Sequence, residues 1–171
     1  MRFTVATISN EYKSIFDDFD LVMKGQYSKI IRIERIQNEY CYLQYTIHSR
    51  SFKNELNSDT EKRLYHGCPE QAVTSIIKHG FNRNYAGQHG TAYGVGVYFS
   101  SNAGYSHSYA TPDAKGERHM FLSRVLIGKT YPGTSFMKMP PDGFHSTTDG
   151  THIFVVYHDA QAHAEYLITY A

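Results

Sequence analysis

The chain has 171 residues, 17 basic and 16 acidic side chains and a net charge of +1. That length suits one domain with its own core, and so even a balance lacks the basic face that binding a phosphate backbone needs. No apolar run approaches the ~18 residues of a membrane span, no leader pattern opens the chain, and two cysteines are too few for a disulfide framework or a zinc cage.

Taken in order, Arg2 to Ser9 alternates Phe3 and Val5 with polar neighbours and predicts a strand. Asn10 then caps a helix whose apolar positions Tyr12, Ile15, Phe16, Phe19, Val22 and Met23 fall three or four apart, with Gly25 closing it. Lys29 to Ile36 alternates isoleucines with charges, a strand with one buried face. Asn38 to Leu56 fits two periods: Tyr42, Tyr45 and Ile47 as a strand, or Leu43, Ile47 and Phe52 as a helical stripe. After a polar link at 57–62 comes a strand ending in His66-Gly67. Pro69 then takes the first turn of a helix with Val73, Ile76 and Ile77 inward and Gly80 at its end. Phe81 to Ala92 reads as a loop placed to lid a ligand. Tyr93 to Phe99 predicts a strand, and a short helix after it carries Ser106 and Tyr109. Thr111 to Gly116 is a turn into a strand over His119 to Ile127. Tyr131 to Gly150 has no period and reads as a long functional loop on the acceptor side. Strands over Thr151 to Asp159 and Ala164 to Tyr170 close the chain. No repeat or low-complexity tract interrupts residues 1–171, which read as a single domain.

Two stretches carry chemistry. Arg63-Leu64-Tyr65-His66-Gly67 sets an imidazole beside a backbone without a side chain, where a flat ligand can hydrogen-bond N–H and C=O. In Tyr93-Gly94-Val95-Gly96-Val97-Tyr98-Phe99 the alternating glycines leave one face of a strand bare. Tyr105 and Tyr109 follow Tyr98 closely enough to make a slot for a planar heterocycle. Two other readings fail on spacing. A dinucleotide fingerprint needs a third glycine where Phe99 stands and a helix N-terminus directly after it. His145, His152, His158 and His163 match no common zinc spacing, so no metal is expected.

These residues together resemble the catalytic domain of the poly(ADP-ribose) polymerase family. The His-Gly strand end, Gly-x-Gly-x-Tyr-Phe, Ser106 to Tyr109, Ile-Phe-Val-Val-Tyr and Glu-Tyr-Leu-Ile-Thr occur in the family's order across nearly the whole chain. Ile33-Glu34-Arg35-Ile36-Gln37-Asn38 is most similar to the macrodomain-associated branch that transfers single ADP-ribose units. The resemblance implies an α+β ADP-ribosyltransferase fold, with two packed, mainly antiparallel sheets, flanking helices and NAD in the cleft between sheets. It also implies a helix over the ambiguous segment after Asn38.

By the same resemblance His66 bonds a ribose hydroxyl of NAD, and the Gly67 backbone and Ser106 hydroxyl hold the nicotinamide carboxamide. Tyr98 and Tyr109 sandwich the ring, with Tyr105 and Arg83 completing the cofactor site. Polymer-building members begin the late apolar strand with a glutamate that stabilises the oxocarbenium-like transition state and activates the next hydroxyl. Here that position is Ile153, so the triad His66, Tyr98, Ile153 implies mono-ADP-ribosylation assisted by a carboxylate on the acceptor. Expected acceptors are proteins, the chain itself among them, with nucleic-acid ends left open and neither direct DNA binding nor a membrane involved. The expected setting is intracellular, cytoplasmic or nuclear. Two other readings remain: a catalytically weak or inactive NAD- or ADP-ribose-binding module of the same fold, and a related transferase acting on RNA ends, which the lack of a basic face disfavours.

Overall fold

A computed structural model describes residues 1–85 and 90–171. In chain order the elements are β1 (Arg2–Thr4), α1 (Asn10–Met23), β2 (Ile30–Ile36), α2 (Glu39–Leu56), β3 (Glu61–Cys68) and α3 (Glu70–His79). Then come β4 (Val97–Ser100), α4 (Ala103–His107), β5 (Arg118–Leu126), β6 (Thr130–Pro132), β7 (Ser146–Thr148), β8 (Ile153–Val156) and β9 (Ala162–Tyr170). Among these described residues no helix is long and apolar enough to cross a membrane.

The strands order as β1-β2-β9-β5-β3-β4-β8-β7-β6, antiparallel except where β6 runs beside β7. The mixed, mainly antiparallel α and β composition agrees with the sequence. The two expected sheets, however, are joined into one hydrogen-bonded ladder. β3 pairs with β5 at every position from Glu61 to Cys68 but with β4 at the single pair Tyr65↔Ser100. That pair links a five-stranded part to a four-stranded one, and past it the two parts diverge.

The alternation of β5 explains why helices cover both faces. Met120 and Leu122 face a cluster with Ile15, Phe19 and Met23 of α1, while Phe121 and Val125 face the opposite cluster with Val73 of α3. β9, buried at nearly every position, is a central strand between β2 and β5.

Several boundaries differ from the sequence reading for local reasons. Ser9, not Asn10, caps α1: its hydroxyl accepts the Tyr12 N–H at 3.1 Å. Pro69 is the cap residue of α3 rather than part of its first turn. The segment after Asn38 is helical, as the resemblance implies. Its buried residues are Tyr45 and Phe52, while Leu43 and Ile47 lie 53% and 70% exposed, so the Leu43 stripe is not the packing face. Tyr93 to Gly96 form a turn, and the strand begins at Val97. The long loop read over 131–150 contains β7, a buried Ser-Thr-Thr strand invisible to hydrophobic patterning. There the Ser146 hydroxyl donates to the Ile127 carbonyl at 2.6 Å and Thr148 to Ile153 at 2.7 Å, which satisfies the polar side chains in place of water. Of the expected lid, residues 86–89 lie outside the described residues.

Candidate active site

Where β3 and β4 part, a cavity of about 430 Å³ opens between the end of β3, α3, β4 and the segment around α4. Six residues singled out in the sequence line it: His66, Gly67, Tyr98, Tyr105, Ser106 and Tyr109. Its size falls within the roughly 300–1,000 Å³ of small-molecule sites.

His66 stands near the end of β3 with its ring edge-on to Phe81 at 5.1 Å and tilted against Phe99 at 5.4 Å. Its Nδ1 lies 2.8 Å from the Tyr98 carbonyl. A carbonyl only accepts, so Nδ1 carries the proton, and in the neutral ring Nε2 has acceptor character. Gly67 is glycine for a reason the sequence did not supply. A Cβ there would lie 1.9 Å from the Ser106 carbonyl oxygen and 3.0 Å from the Ala110 nitrogen. The missing side chain admits the α4 segment against β3, and through it the ligand side is shaped indirectly. Ser106 is buried and its hydroxyl donates to the Tyr65 carbonyl at 3.1 Å, which leaves the oxygen as an acceptor toward the cavity.

Tyr98 is pinned by its hydroxyl, which accepts the Tyr93 N–H at 3.0 Å and donates to the Gly94 carbonyl at 2.8 Å. Burial raises its phenol pKa, only partly offset by the Tyr93 N–H, so it stays a neutral donor. With both hydroxyl roles taken inside the protein, the ring face is what Tyr98 presents. Tyr105 and Tyr109 line the same cavity as a tilted pair with ring centres 5.4 Å apart and hydroxyls at 3.1 Å. Burial, then that hydroxyl contact, raise the Tyr105 phenol as well. Tyr109 lies past the end of α4 rather than on it.

Two predicted residues are placed elsewhere. Arg83 does not line the cavity: it is exposed in a short 3-10 turn, its Nη1 donates to the Tyr157 carbonyl at 2.8 Å, and its N–H to Asp159 at 3.2 Å. It fastens the loop to the end of β8. Ile153 begins β8, 4% exposed, and packs with Val155 and Tyr157 against the half-buried Tyr93, Tyr98 and Tyr105. It backs the tyrosines and presents no polar group.

Sequence reasoning missed the support behind Tyr98. The Tyr157 and Thr147 hydroxyls lie 2.7 Å apart, and Thr147 donates to the Tyr93 carbonyl at 2.6 Å. Since Thr147 has one proton, Tyr157 must be the donor to it. A chain of donors thus runs from Tyr157 through Thr147 to the Tyr93 carbonyl, and the Tyr93 N–H holds Tyr98. Also missed was that the expected helix α3 lines the cavity, through Gln71, Ala72 and Ser75. A helix starting directly after a His-Gly strand end was the available signal.

Comparison with known proteins identifies the family. The family model described as the poly(ADP-ribose) polymerase catalytic domain matches residues 9–152. The human protein mono-ADP-ribosyltransferase PARP14 is 36% identical over 94% of this chain and 10% of its own length. Mouse protein mono-ADP-ribosyltransferases PARP10 and PARP12 are 34% and 33% identical over 94% and 99% of this chain, and 18% and 25% of their own lengths. The chain therefore spans between a tenth and a quarter of these relatives.

Proposed function

The chain belongs to the poly(ADP-ribose) polymerase catalytic domain family, and on that premise we propose that it is an NAD-dependent mono-ADP-ribosyltransferase. It moves one ADP-ribose unit from NAD to an acceptor protein and releases nicotinamide. The observation that carries this reading is the convergence of His66, Gly67, Tyr98, Tyr105, Ser106 and Tyr109 on one cavity. The three relatives bear the name mono-ADP-ribosyltransferase, which supports the same chemistry.

The residues fit the nicotinamide end of NAD. Among the described residues no strand pairs with β3 on its β4 side beyond Tyr65, so the Gly67 backbone offers hydrogen-bonding groups to a carboxamide there. The Ser106 oxygen, its own proton given to Tyr65, accepts from the carboxamide NH2. The faces of Tyr98 and Tyr109 bracket the ring, and His66 hydrogen-bonds a ribose hydroxyl, which keeps its proton. In the transfer, the bond from ribose C1′ to the nicotinamide nitrogen breaks and its electron pair leaves with neutral nicotinamide. The acceptor nucleophile bonds C1′, and any proton it carries goes to solvent. No general acid is needed, so positioning supplies most of the acceleration.

Ile153 sets the product. Buried and apolar behind the tyrosines, it cannot activate a hydroxyl of a first ADP-ribose for a second addition, so chains do not grow. An acceptor carboxylate is ionised at neutral pH and needs no base, which favours acidic acceptor residues, on other proteins or on the chain itself. The free thiols Cys41 and Cys68 suit a reducing compartment, the cytoplasm or nucleus.

The test is transfer of label from NAD to protein, read on a denaturing gel. Wild type should give discrete bands, and Tyr98→Ala and His66→Ala should lower the rate by ~100-fold or more. Unchanged labelling in both variants overturns the assignment, and a ladder overturns the reading of Ile153. Absence of label alongside tight binding of a non-reactive NAD analogue would instead identify a binding module.

A further inference from the structure

Next to the start of α3, Glu70, Asp113 and His119 bring ligand atoms of three side chains within 4.8 Å of one another. They come from three elements: Glu70 opens α3, Asp113 lies in the turn at 111–117, and His119 is near the start of β5, paired across from Cys68. His119 is 4% exposed, and neither ring nitrogen has a hydrogen-bond partner. A buried imidazole without a partner forfeits the hydration of both nitrogens. Its Nε2 faces the Asp113 carboxylate at 3.6 Å, too far for a hydrogen bond.

That spacing suits an ion. Two ligands bound at 2.0–2.1 Å to a tetrahedral zinc lie roughly 3.4 Å apart. Asp113 is held ready for the task. One of its oxygens accepts N–H groups from Lys115 at 2.8 Å and Glu117 at 2.9 Å, which fixes the carboxylate with its other oxygen toward His119. Glu70 is exposed, so a rotamer change closes the remaining distance at little cost. Two carboxylates and a neutral imidazole balance the charge of a divalent cation.

We propose that Glu70, Asp113 and His119 form a binding site for a divalent transition-metal ion of the zinc type, with water as the fourth ligand. The imidazole ligand favours this class over calcium or magnesium, which take oxygen. The sequence expectation of no metal weighed His145, His152, His158 and His163, none of which belongs to this group. The ion's place is structural. It ties the start of α3, whose next residues line the cavity, to the turn that follows Tyr109 and to the strand beside β3.

The probe is Zn2+ itself. Protein stripped with a chelator is dialysed against micromolar Zn2+, and bound metal and melting temperature are measured. One equivalent should bind, and at 100-fold over Kd the melting temperature should rise by ~5–10 °C. Glu70→Gln should melt like the stripped wild type, because Glu70 is exposed, yet bind Zn2+ at least ~10-fold more weakly, and His119→Gln should lose the site. Failure to bind one equivalent overturns the proposal. Binding undiminished in Glu70→Gln overturns it too, by placing the ion elsewhere, and an equal response to Ca2+ overturns the assigned class.

Discussion

β3 carries His66 and Gly67 to the cavity near the end of a strand whose eight residues all pair with β5. β4 carries Tyr98 on four residues paired with β8, and its hydroxyl is held by the Tyr93 N–H and the Gly94 carbonyl, with Tyr93 braced in turn by the hydroxyls of Thr147 and Tyr157. One wall is held by backbone and the other by a relay of side chains. The two walls therefore differ in what can be repaired once broken, and a glycine sits at the critical point of each.

Gly67→Ala should have the largest effect. The new Cβ would meet the Ser106 carbonyl at 1.9 Å, and backbone on one side and a full ladder on the other leave nothing to give way. A loss of ~3 kcal/mol or more in a denaturant melt is expected, together with loss of NAD-analogue binding as α4 is pushed away. A variant within ~1 kcal/mol of wild type would show that α4 moves freely, and the contrast between the walls would fail.

Gly94→Ala comes next and is repairable. Its φ of +130° already disfavours a side chain, and its Cβ would lie 1.8 Å from the Tyr157 hydroxyl. Removing that hydroxyl leaves only the Tyr157 ring at 3.0 Å and Thr147 at 3.2 Å. The double variant Gly94→Ala, Tyr157→Phe should regain more than half of the stability lost in Gly94→Ala alone, with ~1–2 kcal/mol of backbone strain persisting. The same second change should do nothing for Gly67→Ala, and melts of the four proteins decide.

Tyr157→Phe by itself should cost about 1 kcal/mol, the worth of one hydrogen bond. Its signature is in activity: with Thr147 less constrained, Tyr93 and then Tyr98 loosen. Label transfer should slow several-fold, well short of the effect of Tyr98→Ala. An unaltered rate would mean that the Tyr93 N–H and the Gly94 carbonyl hold Tyr98 without the relay behind them.

The same division governs what the sequence reveals. His66-Gly67 was legible because a strand pattern and its end are local, and the ladder does the rest. Arg83 stands off the cavity with its guanidinium on the Tyr157 carbonyl, seventy-four positions away, a contact no spacing encodes. Tyr93 to Gly96 read as a strand because alternation cannot show that Gly94 turns at positive φ under a tyrosine from β8. Thr147 sat in what looked like a loop, since a buried Ser-Thr-Thr strand satisfied by hydroxyl bonds has no hydrophobic period. The pair of sheets was foreseen as separate because the single Tyr65↔Ser100 link leaves no mark in either strand's pattern.

The smallest expected effect concerns the backbone-held half alone. His163 in β9 is paired with Arg124 of β5 and faces Tyr42 and Tyr45 of α2. Burial first, then the charge of Arg124, lower its pKa to about 4, against a small opposing pull from Glu61. The unfolded chain takes up this proton near the ordinary histidine value of ~6.5, the folded one only near 4. This contribution to stability is complete above pH 6.5 and is lost progressively as pH falls toward 4. From this residue pH 6 should cost roughly 0.8 kcal/mol relative to pH 8, and His163→Gln should flatten that part of the profile. Because α2 lies away from the cavity, NAD-analogue affinity should hold over the same pH interval while the melting temperature falls. An affinity that declines in step with the melt would mean that the ladder transmits strain from β9 through β5 to His66, and the two walls would then be one mechanical unit.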